Sequence, residues 1–170
     1  MTQEKFRRIL KEHAPDLVDR QLLDTEKKNL QVFGYGIKGF VLSMIETSIQ
    51  LTKGEISGNE IEQIMDFGRE MLTAPIQLLE HVEDTLQQLQ NNYFLLLITK
   101  GDLIDQETKI ARSGLSDYFN SIEIISEKNV PAYQKILDKH QIQPERFLMV
   151  GNSIRSDILP VLETGGTTVY

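Results

Sequence analysis

The segment Phe147–Asp157 (FLMVGNSIRSD) constrains the fold more than any other part of the chain. It opens with a short apolar run that stops at Gly151, which is typical of a buried strand followed by a sharp turn. In open α/β sheets, ligands bind beside the carboxyl ends of the strands, where such turns lie. Asn152, Ser153 and Asp157 therefore stand at a candidate binding edge. The alternative is an ordinary turn in which Asn152 and Ser153 only cap the next helix.

A second strand end carries a hydroxyl group. The apolar run 94–98 (FLLLI) is uninterrupted, as is typical of a parallel strand covered on both faces, and it ends at Thr99. Backbone N–H groups and Ser or Thr hydroxyls near the start of a helix are a natural cradle for phosphate oxygens. We therefore expect the Thr99 hydroxyl and free backbone amides at Lys100 and Gly101 to face an anion.

Lys128 lies shortly after a third strand-like run, 122–125. A cation at that strand end could neutralise a bound anion. The alternative is a solvated lysine, which is the usual state of this side chain. Taken alone, Lys128 leaves both interpretations open.

Strand-like and helix-like segments alternate from Pro75 onward. Helices are expected at 76–90, 103–113, 132–140 and 156–163, and strands at 94–98, 122–125, 147–150 and 167–170. Such alternation predicts an α/β fold with a Rossmann-like parallel sheet and helices on both of its faces.

Residues 1–73 show helical spacing of their apolar side chains and no strand pattern. They predict a four-helix unit in which Asn59 caps the last helix. We therefore divide the chain into a helical domain, 1–73, and an α/β domain, 74–170. Packing within a helical bundle is enough to explain the apolar faces of the first domain.

Three groups of residues resemble, in their order along the chain, the second, third and fourth motifs of the haloacid dehalogenase-like hydrolase superfamily. They are Thr99, then Lys128 with Pro131 three residues later, then Gly151-Asn-Ser-x-x-x-Asp157. The resemblance implies a Rossmann-like core, a helical cap, and a Mg²⁺-dependent phosphatase acting on a small phosphorylated metabolite. The residues to which it gives a role are Thr99 and Lys128 in catalysis, Thr99, Lys100, Gly101 and Lys128 in phosphate binding, and Asp157 and Asn152 in metal binding.

Two departures from the family pattern concern catalysis. The family's first motif is an Asp-x-Asp at the end of an N-terminal apolar strand, and its first Asp is the nucleophile. Asp16, Asp19 and Asp24 lie instead in a polar, helix-like setting. Asn152 stands where many members carry an acidic residue, which leaves Asp157 as the only acidic metal ligand. We therefore expect the chain to be inactive alone, with Mg²⁺ binding weak or absent.

The missing first strand also has a structural consequence. In the family that strand lies between the strands expected here at 94–98 and 147–150, so both neighbours would expose unpaired inner edges, which favour aggregation. We expect a truncated product, a split enzyme completed by another polypeptide, or a sheet rearranged to close the gap. The partner is then a polypeptide that supplies the missing strand, or a second copy that associates through the open sheet edge. The alternative function is a non-catalytic phosphate-binding or protein-interaction module of the same fold.

Composition limits the remaining possibilities. A net charge of −7 and a pI near 5.0 argue against a nucleic-acid surface, which needs clustered Lys and Arg. The longest apolar runs are too short for a membrane span, so no membrane partner is expected. The absence of cysteine is compatible with a reducing compartment, and we expect a cytoplasmic protein.

Overall fold

In a computed structural model of the protein, residues 2–10 and 17–170 are described. Asp16 lies outside the described residues. The helices are α1 (Thr2–Ile9), α2 (Val18–Phe33), α3 (Ile37–Leu51), α4 (Gly58–Thr73), α5 (Val82–Leu89), α6 (Leu103–Ser113), α7 (Val130–Lys139) and α8 (Leu159–Glu163). The strands are β1 (Leu96–Lys100), β2 (Ser121–Ile125), β3 (Leu148–Val150) and β4 (Thr167–Val169).

The chain divides into two compact units. One comprises Met1–Leu79 and Glu107–Ser113, and the other comprises Glu80–Gln106 and Gly114–Tyr170. We refer to them as the helical unit and the α/β unit. The functional division into a cap, 1–73, and a core, 74–170, stays a prediction.

The helical unit is built around apolar side chains from its four N-terminal helices. Its buried residues are Phe6, Leu10, Val18, Leu22, Met44 and Ile64. α4 begins at a capping box, in which the Ser57 hydroxyl accepts from the Glu60 amide and the Glu60 carboxylate accepts from the Ser57 amide. The expectation that Asn59 caps this helix is therefore wrong. Asn59 already lies inside the first turn, because Ser57 has the extended backbone that a cap requires.

The carboxyl end of α4 is held by Arg112. Its guanidinium donates to the carbonyl oxygens of Leu72, Thr73 and Ala74 at 2.7, 2.9 and 2.8 Å. The last carbonyls of a helix have no intrahelical partner, and a cation there also suits the helix dipole. This contact explains why Glu107–Ser113 belongs to the helical unit.

The helix expected at 76–90 is shorter than its sequence pattern indicates. Only Val82–Leu89 is helical, and His81 before it has a left-handed backbone with φ of 67°. A left-handed residue cannot continue a right-handed helix, so α5 begins after His81. The helix expected at 103–113 is confirmed with the same bounds.

The strands form two parallel pairs. β1 pairs with β2, with Thr99 opposite Ile124, and β3 pairs with β4, with Val150 opposite Val169. Among the described strands, β1 does not pair with β3. The described strands therefore leave the gap open rather than rearranging to close it. β1 also runs further than expected, because Thr99 and Lys100 are part of the strand and not of the turn after it.

The core of the α/β unit lies between these strands and the helices that follow them. Its buried residues are Ile98, Tyr133, Ile136, Leu137, Phe147, Met149 and Val161. In β3 the side chains alternate, so that Met149 is buried while Leu148 and Val150 are 55% and 70% exposed.

The helix expected at 156–163 is divided in two. Ile154–Ile158 form one turn of π-helix, and α8 follows with Pro160 near its start. Proline lacks the N–H group that a continuing α-helix would need at this point. The wide turn places Asp157 on the inside, where the residue is 4% exposed.

Candidate functional site

A buried ion pair joins two of the predicted site residues. The Lys128 ammonium donates to Asp157 Oδ1 at 2.6 Å, and the two side chains are 13% and 5% exposed. Lys128 follows β2, and Asp157 follows β3. The interpretation of Lys128 as a solvated surface lysine is therefore wrong, because a carboxylate in a partly buried setting binds it directly.

The turn after β3 is shaped to receive the Asp157 carboxylate. A Cβ atom on Gly151 would lie 2.4 Å from Asp157 Cβ and 2.7 Å from Oδ2, so a side chain at Gly151 is incompatible with this packing. Ser153 supplies two contacts, since its amide donates to Asp157 Oδ2 at 3.0 Å and its hydroxyl accepts from the Ser156 amide at 3.2 Å. Ser153 thus caps the turn and also binds the carboxylate, whereas Asn152 is exposed.

Thr99 is engaged by a residue that the sequence did not indicate. Its hydroxyl donates to Gln106 Oε1 at 2.7 Å. Gln106 reaches it by crossing Gly101, where a Cβ atom would lie 2.9 Å from Gln106 Nε2. The hydroxyl that was expected to face an anion is therefore bound to a side chain of α6.

The backbone after Thr99 does not form the anion cradle that the sequence predicts. The Gly101 amide donates to the Ile125 carbonyl at 3.2 Å and so continues the pairing of β1 with β2. The expectation of a free amide at Gly101 is wrong for this reason. The side chain of Lys100 is 21% exposed and lies 3.5 Å from Glu127 Oε2, in an ion pair at the same strand end.

The three predicted motifs lie at or after the ends of three different strands. Thr99 and Lys128 lie at the carboxyl ends of β1 and β2, which are adjacent and parallel. The ion pair then connects Lys128 to the turn after β3. Chemically, the site offers one hydroxyl and one fixed ammonium group, both suited to an anion.

Tyr133 is a further residue of this site that sequence reasoning missed. It is fully buried in α7, and its hydroxyl donates to the Ser156 carbonyl at 3.0 Å. Burial raises the pKa of Tyr133, and the nearby charge of Asp157 raises this pKa further. The helical spacing of α7 could have shown that Tyr133 faces the core, but not which carbonyl it contacts.

The residues present do not fit Mg²⁺ on their own. Asp157 offers one oxygen to the Lys128 ammonium and the other to the Ser153 amide. Mg²⁺ demands a near-octahedral set of oxygen ligands. Within residues 2–10 and 17–170, no three His, Cys, Asp or Glu side chains are grouped as a metal site. Weak or absent Mg²⁺ binding by this chain stays a prediction.

The helical unit contains a pocket of about 180 Å³ beside the turn between α2 and α3. Its polar wall includes Glu26, Asn29 and Ser43, and its aromatic residues are Tyr35 and Phe40. Burial raises the pKa of Glu26. Asn29 is held in place, since its amide donates to the Ser43 hydroxyl at 3.2 Å.

Parallel strands flanked by helices, with polar side chains gathered at the strand ends, define an α/β protein of the Rossmann-like class. A family model described as haloacid dehalogenase-like hydrolase matches residues 3–161, and the chain belongs to this family. In the part of the chain that the structure describes, no helix is both long and apolar enough to cross a membrane.

Known relatives support this assignment. A haloacid dehalogenase-like family hydrolase from Xanthomonas campestris is 43% identical, with a TM-score of 0.94 over 99% of this chain and 72% of that chain. A glyceraldehyde 3-phosphate phosphatase from Pyrococcus furiosus is 30% identical over 90 residues, and a phosphoglycolate phosphatase from Vibrio vulnificus is 32% identical over 92 residues. These matches cover 50% and 49% of this chain but only 38% and 39% of the two phosphatases.

Proposed function

We propose that this chain carries the phosphate-binding part of a phosphatase site for a small phosphate ester. The observation that carries the proposal is the Lys128–Asp157 pair, which fixes an ammonium group 2.6 Å from a buried carboxylate at the carboxyl end of the strands. An ammonium has three donors, and the described contacts use one of them on Asp157. In this proposal the other two N–H bonds are available for the oxygens of a phosphate group.

Thr99 supplies the second contact in this proposal. Its hydroxyl can rotate from Gln106 to a phosphate oxygen, because a hydroxyl both donates and accepts. Gln106 then acts as the partner that holds Thr99 when no anion is present. The names of the two phosphatases support phosphate as the ligand in this proposal.

We further propose that the chain does not hydrolyse phosphate esters alone. Phosphoryl transfer in this family needs an aspartate nucleophile, and removal of a nucleophile abolishes the covalent step. Asp19, one of the aspartates near the start of the chain, lies on α2 and pairs with Arg7 at 2.6 Å. Asp24 also lies on α2, far from any strand end in sequence. Neither is placed as the nucleophile motif requires.

A polypeptide that supplies a strand is the partner we propose. β1 and β3 each pair on one side within the described part of the chain, with β2 and β4 respectively. A strand inserted between them could satisfy backbone groups of both. Self-association of two copies through these strand edges is the competing way to satisfy their backbone groups. We also propose that the protein is cytoplasmic.

The test compares the chain with a version extended by an N-terminal strand that ends in Asp-x-Asp. With a generic aryl phosphate and Mg²⁺, the chain alone should show no hydrolysis above buffer, and the extended version should turn over. Robust turnover by the chain alone, abolished by Asp157→Ala, would contradict the incompleteness proposal.

Phosphate binding is tested separately by titration of the chain with inorganic phosphate, followed through amide chemical shifts. We expect a dissociation constant on the order of millimolar, as is usual for a small exposed ligand. Lys128→Ala should weaken the binding. Lys139→Ala is the matched control, since Lys139 is 60% exposed and pairs with Glu123 at 2.7 Å in the same unit. Equal phosphate affinity of the two variants would show that Lys128 does not contribute to phosphate binding.

A non-catalytic binding module is the second candidate function. The Thr99–Gln106 hydrogen bond favours it, because the hydroxyl is already engaged within the chain. In that case the extended version should bind phosphate without hydrolysing an ester.

A further inference from the structure

The Ser156 carbonyl lies in an unusual position. It belongs to the π-turn Ile154–Ile158, in which the Ile158 amide donates to the Ser153 carbonyl at 3.2 Å. In a regular α-helix the Ser156 carbonyl would accept from the residue four positions later, but that residue is Pro160, which has no N–H group. The regular i+4 donor is therefore missing at the Ser156 carbonyl, and Ser156 is only partly exposed.

Tyr133 provides that donor. Its hydroxyl lies 3.0 Å from the Ser156 oxygen, and the residue has no exposed surface. Its ring packs against Phe147 with centroids 6.4 Å apart. A phenylalanine ring could fill the same space, so the hydroxyl is needed for its hydrogen bond and not for packing.

The same peptide unit is held at both ends. Its carbonyl, from Ser156, accepts from Tyr133, and its N–H, from Asp157, donates to the Ser153 carbonyl at 2.7 Å. Two opposed hydrogen bonds fix the plane of this peptide. They thereby set the direction in which the Asp157 side chain leaves the backbone, toward Lys128 and the Ser153 amide.

We propose that Tyr133 is a positioning residue for the Lys128–Asp157 pair, acting through the Ser156 carbonyl. Its hydroxyl orients the Asp157 carboxylate, and the carboxylate in turn holds the Lys128 ammonium where an anion can meet it. The positional role follows from the contacts above, whereas its use in anion binding rests on the proposed function.

The test is Tyr133→Phe in the chain as it exists, with two readouts. The first is the amide signal of Ser153, which donates to Asp157 Oδ2 and should shift when the carboxylate turns away. The second is the dissociation constant for inorganic phosphate. We expect it to rise about fivefold, the equivalent of one neutral hydrogen bond of about 1 kcal/mol.

Two control variants separate positioning from general effects. Tyr118→Phe makes the same chemical change, since the Tyr118 hydroxyl donates to Glu83 at 3.1 Å on the surface of the same unit. Ile136→Val removes one buried methylene from α7 and lowers stability, but it keeps the Tyr133 hydroxyl. Both should leave the Ser153 signal and the phosphate affinity unchanged.

The outcomes distinguish this inference from the proposed function. An unchanged Ser153 signal in Tyr133→Phe overturns the positional role, and so does an equal shift in Ile136→Val. If the signal shifts as expected but the unmodified chain binds no phosphate, the positional role stands and the proposed function fails.

Discussion

Removing one partner of the Lys128–Asp157 pair should be costly. The side chains are 13% and 5% exposed, so either one left alone is a largely desolvated charge. Loss of one partner of a buried pair costs about 3–5 kcal/mol, and we expect the lower end because Lys128 retains some exposure. Lys128→Met and Asp157→Asn, both close in shape to the original side chains, should therefore each lower the free energy of unfolding by about 3 kcal/mol.

Urea unfolding followed by tyrosine fluorescence measures this loss in the α/β unit, since four of the five tyrosines, Tyr93, Tyr118, Tyr133 and Tyr170, lie there. With an m-value of about 2 kcal/mol per M of urea, a loss of about 3 kcal/mol lowers the midpoint by about 1.5 M. The double variant should be less destabilised than the sum of the single ones, by about 2 kcal/mol, because neither charge is then left unpaired.

Lys139→Met is the control for an ion pair in which one partner is exposed and the other, Glu123 at 12% exposed, has a second partner. Lys139 is 60% exposed, and its partner Glu123 keeps a second contact to His140 at 2.7 Å. We expect a loss of less than about 1 kcal/mol. Single variants of Lys128 and Asp157 that behave like this control, with additive effects in the double variant, would refute the argument that the pair is buried and coupled.

Three further predictions concern positions outside the charged pair. Gly151→Ala should lower the free energy of unfolding by about 1–3 kcal/mol, as overpacking does, because its Cβ would lie 2.4 Å from Asp157 Cβ. Thermal unfolding measures this loss, and Gly58→Ala is the control because a Cβ there would have nothing within 4 Å. Burial raises the pKa of Glu123, but hydrogen bonds from Lys139 and His140 outweigh it and lower this pKa below its ordinary value of 4.5. Glu123 therefore stabilises the fold above pH 4.5 and loses this contribution as the pH falls through its folded pKa, so Glu123→Gln should flatten the acid side of a stability profile. Ser57→Ala removes the cap of α4 and should lower the free energy of unfolding by about 1 kcal/mol. An equal loss in Asn59→Ala would contradict the assignment of Ser57 as the cap.

Much of the α/β unit could be predicted because its signals are local. The apolar run ending at Gly151 reports a buried strand through its own residues, and β3 begins only one residue after the expected start. Strand–helix alternation then fixes a parallel sheet, since parallel neighbours need a crossover between them. The order of Thr99, Lys128 and Asp157 along the chain was enough to place each of them at or after the end of a different strand.

The contacts that orient these side chains could not be predicted, because they depend on packing between distant segments. Gln106 meets Thr99 only because Gly101 leaves space between them. Tyr133 meets the Ser156 carbonyl at a π-turn where Pro160 removes the regular donor. Neither partner follows from hydrophobic periodicity, which shows the face a side chain occupies but not the atom that it contacts.

The contacts that position the Lys128–Asp157 pair allow phosphate binding to be tested separately from hydrolysis. Lys128, Asp157 and Ser153 are held by turns after β2 and β3 together with α7, and none of their described contacts involves a strand between β1 and β3. An ammonium group fixed in this way stabilises a bound anion electrostatically, and it can assist a covalent step only where a nucleophile is present to carry out that step. Phosphate affinity should therefore depend on Lys128 in both the chain and its extended version, whereas hydrolysis should depend on Lys128 only in the latter.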